Sequence, residues 1–257
     1  MPIALKRPLV KRRPWGKVRP PRRRRFGVAK PFPFVRALRR GKTPTRLGEL
    51  RLVMGALEVR LARSDIEIAA AQRLRYEVFY EELSAKASAE VAAERRDFDR
   101  FDPFCDHLIV LDHGGATPNR VVGVYRLMRR DVAARAGQFY TQDEFSIRKL
   151  LRGGRQVLEL GRSCVHPDFR SAGVMNLMWR ALAHYIAMHD IKIMFGCASF
   201  PGADPEKHAL ALSYLYARHL APPQIRPKAL RKRYVSMDRM PPHKIDEKAA
   251  QLALPPL

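Results

Sequence analysis

Apolar and polar residues alternate over residues 56–61 (ALEVRL), the period-2 pattern of a half-buried strand. Ser64 or Asp65 then offers a helix N-cap, and from Ile66 to residue 83 Ile66, Ala70, Leu74 and Val78 fall near one helical face. Residues 84–96 are polar and Ala-rich and predict a loop. Residues 107–112 (HLIVLD) and 121–128 (VVGVYRLM) predict two strands, joined as an antiparallel hairpin by the turn-rich HGGATPNR. Short helices are expected over 131–136 and 143–151. Residues 156–165 (QVLELGRSCV) alternate again, and the loop HPDFRSAG leads into a helix over 176–189. The nearly continuous apolar run 192–198 reads as a buried strand. A helix over 206–219 and a strand over 234–240 close the order. This succession predicts an α/β domain, a mixed, mostly antiparallel sheet flanked by helices.

Charge divides the chain. The 257 residues carry a net charge of +24, yet 17 of the 49 Lys and Arg fall within residues 1–48, which hold eight prolines and no acid. Beyond them stand 32 basic and 25 acidic residues, an ordinary, mildly basic body. Residues 1–54 therefore predict a basic, Pro-rich extension, disordered or membrane-associated, in which Trp15, Phe26, Phe32 and Phe34 suit an anionic bilayer surface. Residues 55–240 are expected to form the globular domain and 241–257 a C-terminal tail. No apolar run approaches the ~18 residues of a membrane-spanning helix, and the basic start lacks the apolar core of a signal peptide. The expected location is cytoplasmic, peripheral at the inner membrane face. Cys105, Cys164 and Cys197 are odd in number and show no CxxC spacing, so neither a disulfide scaffold nor a metal site is expected.

The stretch 158–185 (LELGRSCVHPDFRSAGVMNLMWRALAHY) carries the most chemistry. A strand ends at Val165, and Arg170 and Gly173 lead into a helix whose first N–H groups lack partners. That arrangement suits one phosphate. Val165, Pro167, Phe169, Arg170 and Gly173 resemble the acyl-donor motif of the GCN5-related N-acetyltransferase (GNAT) superfamily. Met175 stands where Gly or Ala is usual, which disfavours coenzyme A and fits the single phosphodiester of a carrier protein's pantetheine. A second set, Arg75, Val78 and Phe79, then Asp99 and Asp102, then Arg126 and Leu127, then Glu159 and Arg162, is similar to the acyl-homoserine lactone synthases in order and spacing. Over residues 56–240 the chain looks closest to the L-ornithine Nα-acyltransferases of ornithine lipid synthesis.

The resemblance implies a GNAT-like fold and transfer of a 3-hydroxyacyl group from acyl carrier protein to the α-amine of L-ornithine, giving lyso-ornithine lipid, with no permanently bound cofactor. It makes Glu159 the candidate general base or amine-binding carboxylate, the alternative being an exposed strand residue. Tyr216 is the candidate acid for the departing thiolate, or simply a packed tyrosine. Arg75, Phe79, Asp99, Asp102, Arg126, Arg162 and Ser163 become candidate substrate-binding residues. The carboxylates either hold a cationic amino acid or organise the loop through arginine pairs, and Arg162 either pairs with Glu159 or Asp102 or holds the substrate carboxylate. Val165, Arg170 and Gly173 are the candidate donor-binding set. Backbone N–H groups at residues 164–166 are candidates to polarise the thioester, and Cys164 is expected to pack rather than react. Arg129, Arg130, Arg148, Lys149 and Arg152 offer positive charge to an acidic carrier protein. Two other readings stand beside this one: an acyl-homoserine lactone synthase, and a non-enzymatic nucleic-acid-binding protein resting on the basic extension. No specific nucleic acid is expected, since no recognition module is visible.

Overall fold

A computed structural model describes residues 50–115, 117–170 and 172–255. The expectation for the extension lies outside these residues up to position 49. Six strands, β1 (Arg51–Met54), β2 (Leu57–Leu61), β3 (Asp106–Asp112), β4 (Arg120–Arg129), β6 (Val157–Val165) and β7 (Ile193–Phe195), form one sheet in the order β1-β2-β3-β4-β6-β7. All neighbours are antiparallel except β6 and β7. A two-stranded ribbon pairs β5 (Phe145–Ser146) with β8 (Lys228–Ala229).

The unbroken apolar run of β3 is explained by burial of both sheet faces. Leu108 and Val110 face helix α4 (Ala172–Met188), while Ile109 and Leu111 face helix α1 (Asp65–Tyr76). Helix α4 presents Val174, Leu177, Met178, Ala181, Leu182 and Tyr185, an i, i+3, i+4, i+7 stripe, to the first of these cores. Ser64 caps α1 by accepting from the Glu67 N–H at 3.3 Å. The helix then winds into a π-turn over Glu77–Glu82, with Leu83 N–H reaching Val78 O at 3.0 Å. A third apolar cluster, including Phe101, Met128, Phe139, Ile147 and Val157, lies beneath the end of β6.

Several boundaries differ from expectation, each for a local reason. Residues 51–54, assigned to the extension, pair with β2 as its antiparallel neighbour, and Leu50 is buried in the main core. Residues 241–257, assigned to a tail, carry helix α6 (Glu247–Leu252), whose Ala250 is fully buried and whose Gln251 Nε2 donates to Tyr214 of helix α5 (Ala209–His219) at 2.9 Å. The 84–96 loop contains helix α2 (Ala89–Glu94), capped by Ser88 and ended by Arg95 in the left-handed region. Helix α3 (Arg130–Ala136) stands as expected, but 143–151 is not a helix, because Phe145 and Ser146 are drawn into pairing with Ala229 and Lys228. Only residues 193–195 of the 192–198 run form a strand. Met194 is 41% exposed there, because β7 is a sheet edge with a neighbour on one side only. Residues 234–240 form no strand.

Candidate active site

Between α1 and the sheet, three arginines meet three aspartates. Fully buried Arg75 reaches Asp97 and Asp102, each at 2.8 Å. Arg126 of β4 spans Asp99 at 2.7 Å and Asp102 at 2.8 Å through Nη1, and Arg162 of β6 spans Asp97 at 3.1 Å and Asp99 at 3.3 Å. Tyr80 Oη, aimed by the π-turn, donates to Asp97 at 2.9 Å. Burial acts to raise the Asp102 carboxyl, but Arg75 and Arg126 together hold it well below the usual carboxylate range. Burial lowers the pKa of neighbouring His107, with Asp102 acting in the opposite direction. Asp99 and Asp102, expected either to take a cationic substrate or to organise the loop, are both engaged by arginines. Asp97, not among the predicted site residues, is a full member of the lattice; its signal was the run DFDRFD, which places it two residues before Asp99.

The lattice depends on a bulge in β6. Val124 of β4 pairs with Cys164 and Arg126 with Gly161, so Arg162 and Ser163 together oppose Tyr125. Arg162 accordingly has a positive φ of 51°. Before the bulge, Leu158 and Leu160 face α4; after it, Val165 does, and Cys164 faces α1. The extra residue shifts the alternation by one and brings Arg162 to Asp97 and Asp99, while Ser163 is exposed.

Glu159 lies at the paired end of β6, only 5% exposed. The 3₁₀ turn Tyr140–Asp143 clasps it: the Tyr140 N–H donates at 3.0 Å, the Thr141 N–H at 2.7 Å, and the Thr141 hydroxyl to the same oxygen. Burial nevertheless raises its pKa above that of an ordinary glutamate, with the three donors partly offsetting the shift. A carboxylate offers about four lone-pair positions, so one remains. Glu159 therefore neither lies exposed nor pairs with Arg162. It opens onto a cleft of about 100 Å³ lined also by Arg126, Arg162, Tyr140, Glu144 and Cys197. The Tyr140 ring lies against both guanidinium groups, 5.8 Å from Arg126 and 5.3 Å from Arg162.

Other predicted residues stand apart from the cleft. Phe79 packs in the core shared by α1 and Cys164. Burial pushes the Cys164 thiol up to about 12, leaving it an inert packing group. Arg170 grips both oxygens of Glu82 at 2.5 Å and donates to Val165 O at 3.0 Å, so its charge is matched within the protein. Val165 is buried in the main core and Gly173 lies in the first turn of α4. The His166 N–H is spent on Val122 O at 2.9 Å. Tyr216 is 41% exposed on α5 and does not line the cleft. Arg129 pairs with Asp106 and Asp131, and Arg130 donates to Leu151 O and Arg155 O. Arg148 and Arg152 are less occupied: Arg148 is exposed and Arg152 lies in a surface 3₁₀ turn.

A bulged central strand, a diverging parallel neighbour and a cleft with a buried carboxylate define an acyl-transfer fold of the GNAT class. Residues 74–180 match the family described as Acetyltransferase (GNAT) domain. A protein of Rhizobium meliloti (strain 1021) named L-ornithine N(alpha)-acyltransferase is 47% identical over 205 residues, 78% of this chain and 69% of the relative. A protein of the same name from Brucella abortus (strain 2308) is 47% identical over 208 residues, 79% of this chain and 74% of the relative. Among solved structures, the AHL synthase LasI is similar at 17% identity and a TM-score of 0.39, over 55% of this chain and 71% of that one. The chain belongs to the L-ornithine Nα-acyltransferase family and is an enzyme of the acyltransferase class.

Replacing Asp102 with Asn leaves Arg75 and Arg126 short of buried charge. The expected cost is about 3–5 kcal/mol, read as a lowered midpoint of urea unfolding at neutral pH. Because its native pKa is depressed, Asp102 contributes fully above the ordinary value of 3.8 and loses its contribution as pH falls through the lowered native value. The Asn variant should therefore converge with the parent only in strong acid.

Proposed function

We propose that this chain transfers a 3-hydroxyacyl group from acyl carrier protein to the α-amine of L-ornithine, producing lyso-ornithine lipid. The observation that carries the reading is Glu159, a buried carboxylate of raised pKa that lines the cleft and whose three protein donors leave about one acceptor position unused. Its ionised carboxylate takes a proton from the α-ammonium. The freed nitrogen then attacks the thioester carbonyl, a C–N bond forms and the C–S bond breaks; the nitrogen gives its second proton to solvent, the departing thiolate takes one from solvent, and Glu159 releases its proton to solvent before the next turnover. Arg126 engages its aspartates through Nη1 alone and Arg162 through Nε and Nη2, so the remaining donors suit the acceptor's α-carboxylate.

The donor's phosphopantetheine arm is assigned to the free side of β6. Among the described residues none pairs as a strand with 160–165 there, because β7 pairs only through Phe195, opposite Glu159. Alternate backbone amides along such an edge are open to an amide-bearing arm. The exposed cation Arg148 suits the acidic carrier.

Contact with the cytoplasmic face of an anionic membrane completes the reading, with the basic residues of 1–48 as the first point of attachment. No described helix is long and apolar enough to cross a membrane. Arg231, Lys232 and Arg233 form an exposed turn beside Tyr234, 67% exposed, and Val235, 51% exposed. Each cation near an anionic leaflet contributes about 1 kcal/mol, and the two side chains supply an apolar tip.

Two experiments test the reading. Purified full-length chain given L-ornithine and 3-hydroxyacyl carrier protein should form acyl-ornithine, with little product from acyl-coenzyme A and none when S-adenosylmethionine replaces ornithine. The Glu159→Gln variant should lose about 10²–10⁴-fold in rate. The acid limb of kcat/KM should lie above pH 4.5, since the active carboxylate is lost as pH falls through its raised pKa, and should vanish in the variant. A folded chain that makes no acyl-ornithine defeats the assignment. For the membrane, a polarity-sensitive fluorophore on Val235→Cys should shift to the blue with phosphatidylglycerol vesicles and not with phosphatidylcholine vesicles. A label that stays in water while the chain sediments with vesicles removes this turn from the contact.

A further inference from the structure

The sequence made Asp99 and Asp102 candidates for the acceptor's side-chain ammonium, yet both are taken by arginines. The carboxylates of the cleft must therefore be counted again. Glu159 accepts three protein hydrogen bonds. Glu144, the other carboxylate lining the cleft, is half-buried, and among the described residues its side chain has no hydrogen bond or ion pair. Its backbone is fixed, because Leu230 N–H donates to Glu144 O at 2.8 Å and the next residue, Phe145, pairs with Ala229. A carboxylate on a fixed backbone at a cleft wall, with no partner among the described residues, is poised for a cation from outside.

Its placement puts it on the same cleft as the reacting end. The 3₁₀ turn Tyr140–Asp143 begins with the amides that clasp Glu159 and ends at Glu144. Glu144 thus follows the turn whose first two amides hold Glu159, and both carboxylates line the same cleft. Cys197, which also lines the cleft, feels both charges, since Glu144 and Glu159 each act to raise its thiol pKa.

We infer that Glu144 is the binding site for the side-chain ammonium of the acceptor, favouring an amino acid whose side chain ends in a primary alkylammonium. This deepens the ornithine reading and rests on it. The pair Glu159 and Glu144 grips the two nitrogens of one substrate. Only the nitrogen at Glu159 loses its proton; the one at Glu144 stays charged and unreactive.

The test compares L-ornithine with L-2-aminopentanoate, which has the same carbon chain without the terminal amine, on full-length parent and Glu144→Gln. Each protein supplies its own ratio of kcat/KM values, so partial loss of folded protein cancels. The parent should favour ornithine, and the variant should lose about 10- to 100-fold of that preference, the worth of one charge-assisted hydrogen bond. The loss should appear mainly in KM, because the contact is the same in ground and transition states. Calorimetric titration of both amino acids without acyl donor gives a second readout: the parent binds ornithine more tightly than 2-aminopentanoate, and the variant does not. An unchanged ratio and unchanged relative affinity would overturn the inference. If the parent transfers no acyl group, the ornithine reading fails, while the titration still decides whether Glu144 holds an ammonium.

Discussion

Three guanidinium groups and three carboxylates meet between helix α1 and the sheet, and their mutual neutralisation governs what the cleft can do. A buried charge without a partner costs several kcal/mol, so each of Arg75, Arg126 and Arg162 requires its aspartates and each aspartate its arginines. The lattice joins α1, the 97–102 loop, β4 and β6 into one rigid wall. It also uses up the acidity that the sequence offered to a cationic substrate. The carboxylates left facing the cleft are Glu159 and Glu144, and they differ in kind: one is buried and clasped by amides, the other is open on a fixed backbone.

The bulge at Arg162 and Ser163 makes that wall possible. Without the extra residue, the period-2 pattern of β6 would carry Arg162 to the apolar α4 face, where no aspartate waits. The same strand loses its parallel neighbour just beyond Glu159, so the Glu159 carboxylate and the open backbone edge adjoin. A tight fit closes the paired end: a Cβ on Gly196 would stand 2.2 Å from Leu160 O, so only glycine allows β7 to leave at this point.

Local patterning revealed the strands and long helices because burial on one or two faces imprints a period directly. The hairpin of β3 and β4, the Ser64 cap and the stripe of α4 were all legible for that reason. Glu159 was singled out by the resemblance of its Glu-x-x-Arg spacing, and the structure places it on the cleft with its carboxylate buried. Features set by long-range pairing were not legible: the ribbon of β5 and β8 turned an expected helix into strand, and edge position shortened β7. Spacing put Asp99 and Asp102 near Arg126, but whether they bind substrate or arginine depends on how many cations the fold delivers to them. Glu144 carried no local signal at all, since its significance lies in what fails to reach it.

The most direct measurement is a crystal structure of the full-length chain with L-ornithine bound. It should show the α-nitrogen within hydrogen-bond distance of Glu159, the δ-nitrogen on Glu144, and every arginine–aspartate pair intact. Ornithine found with its ammonium on Asp99 or Asp102, and an arginine displaced, would contradict the account.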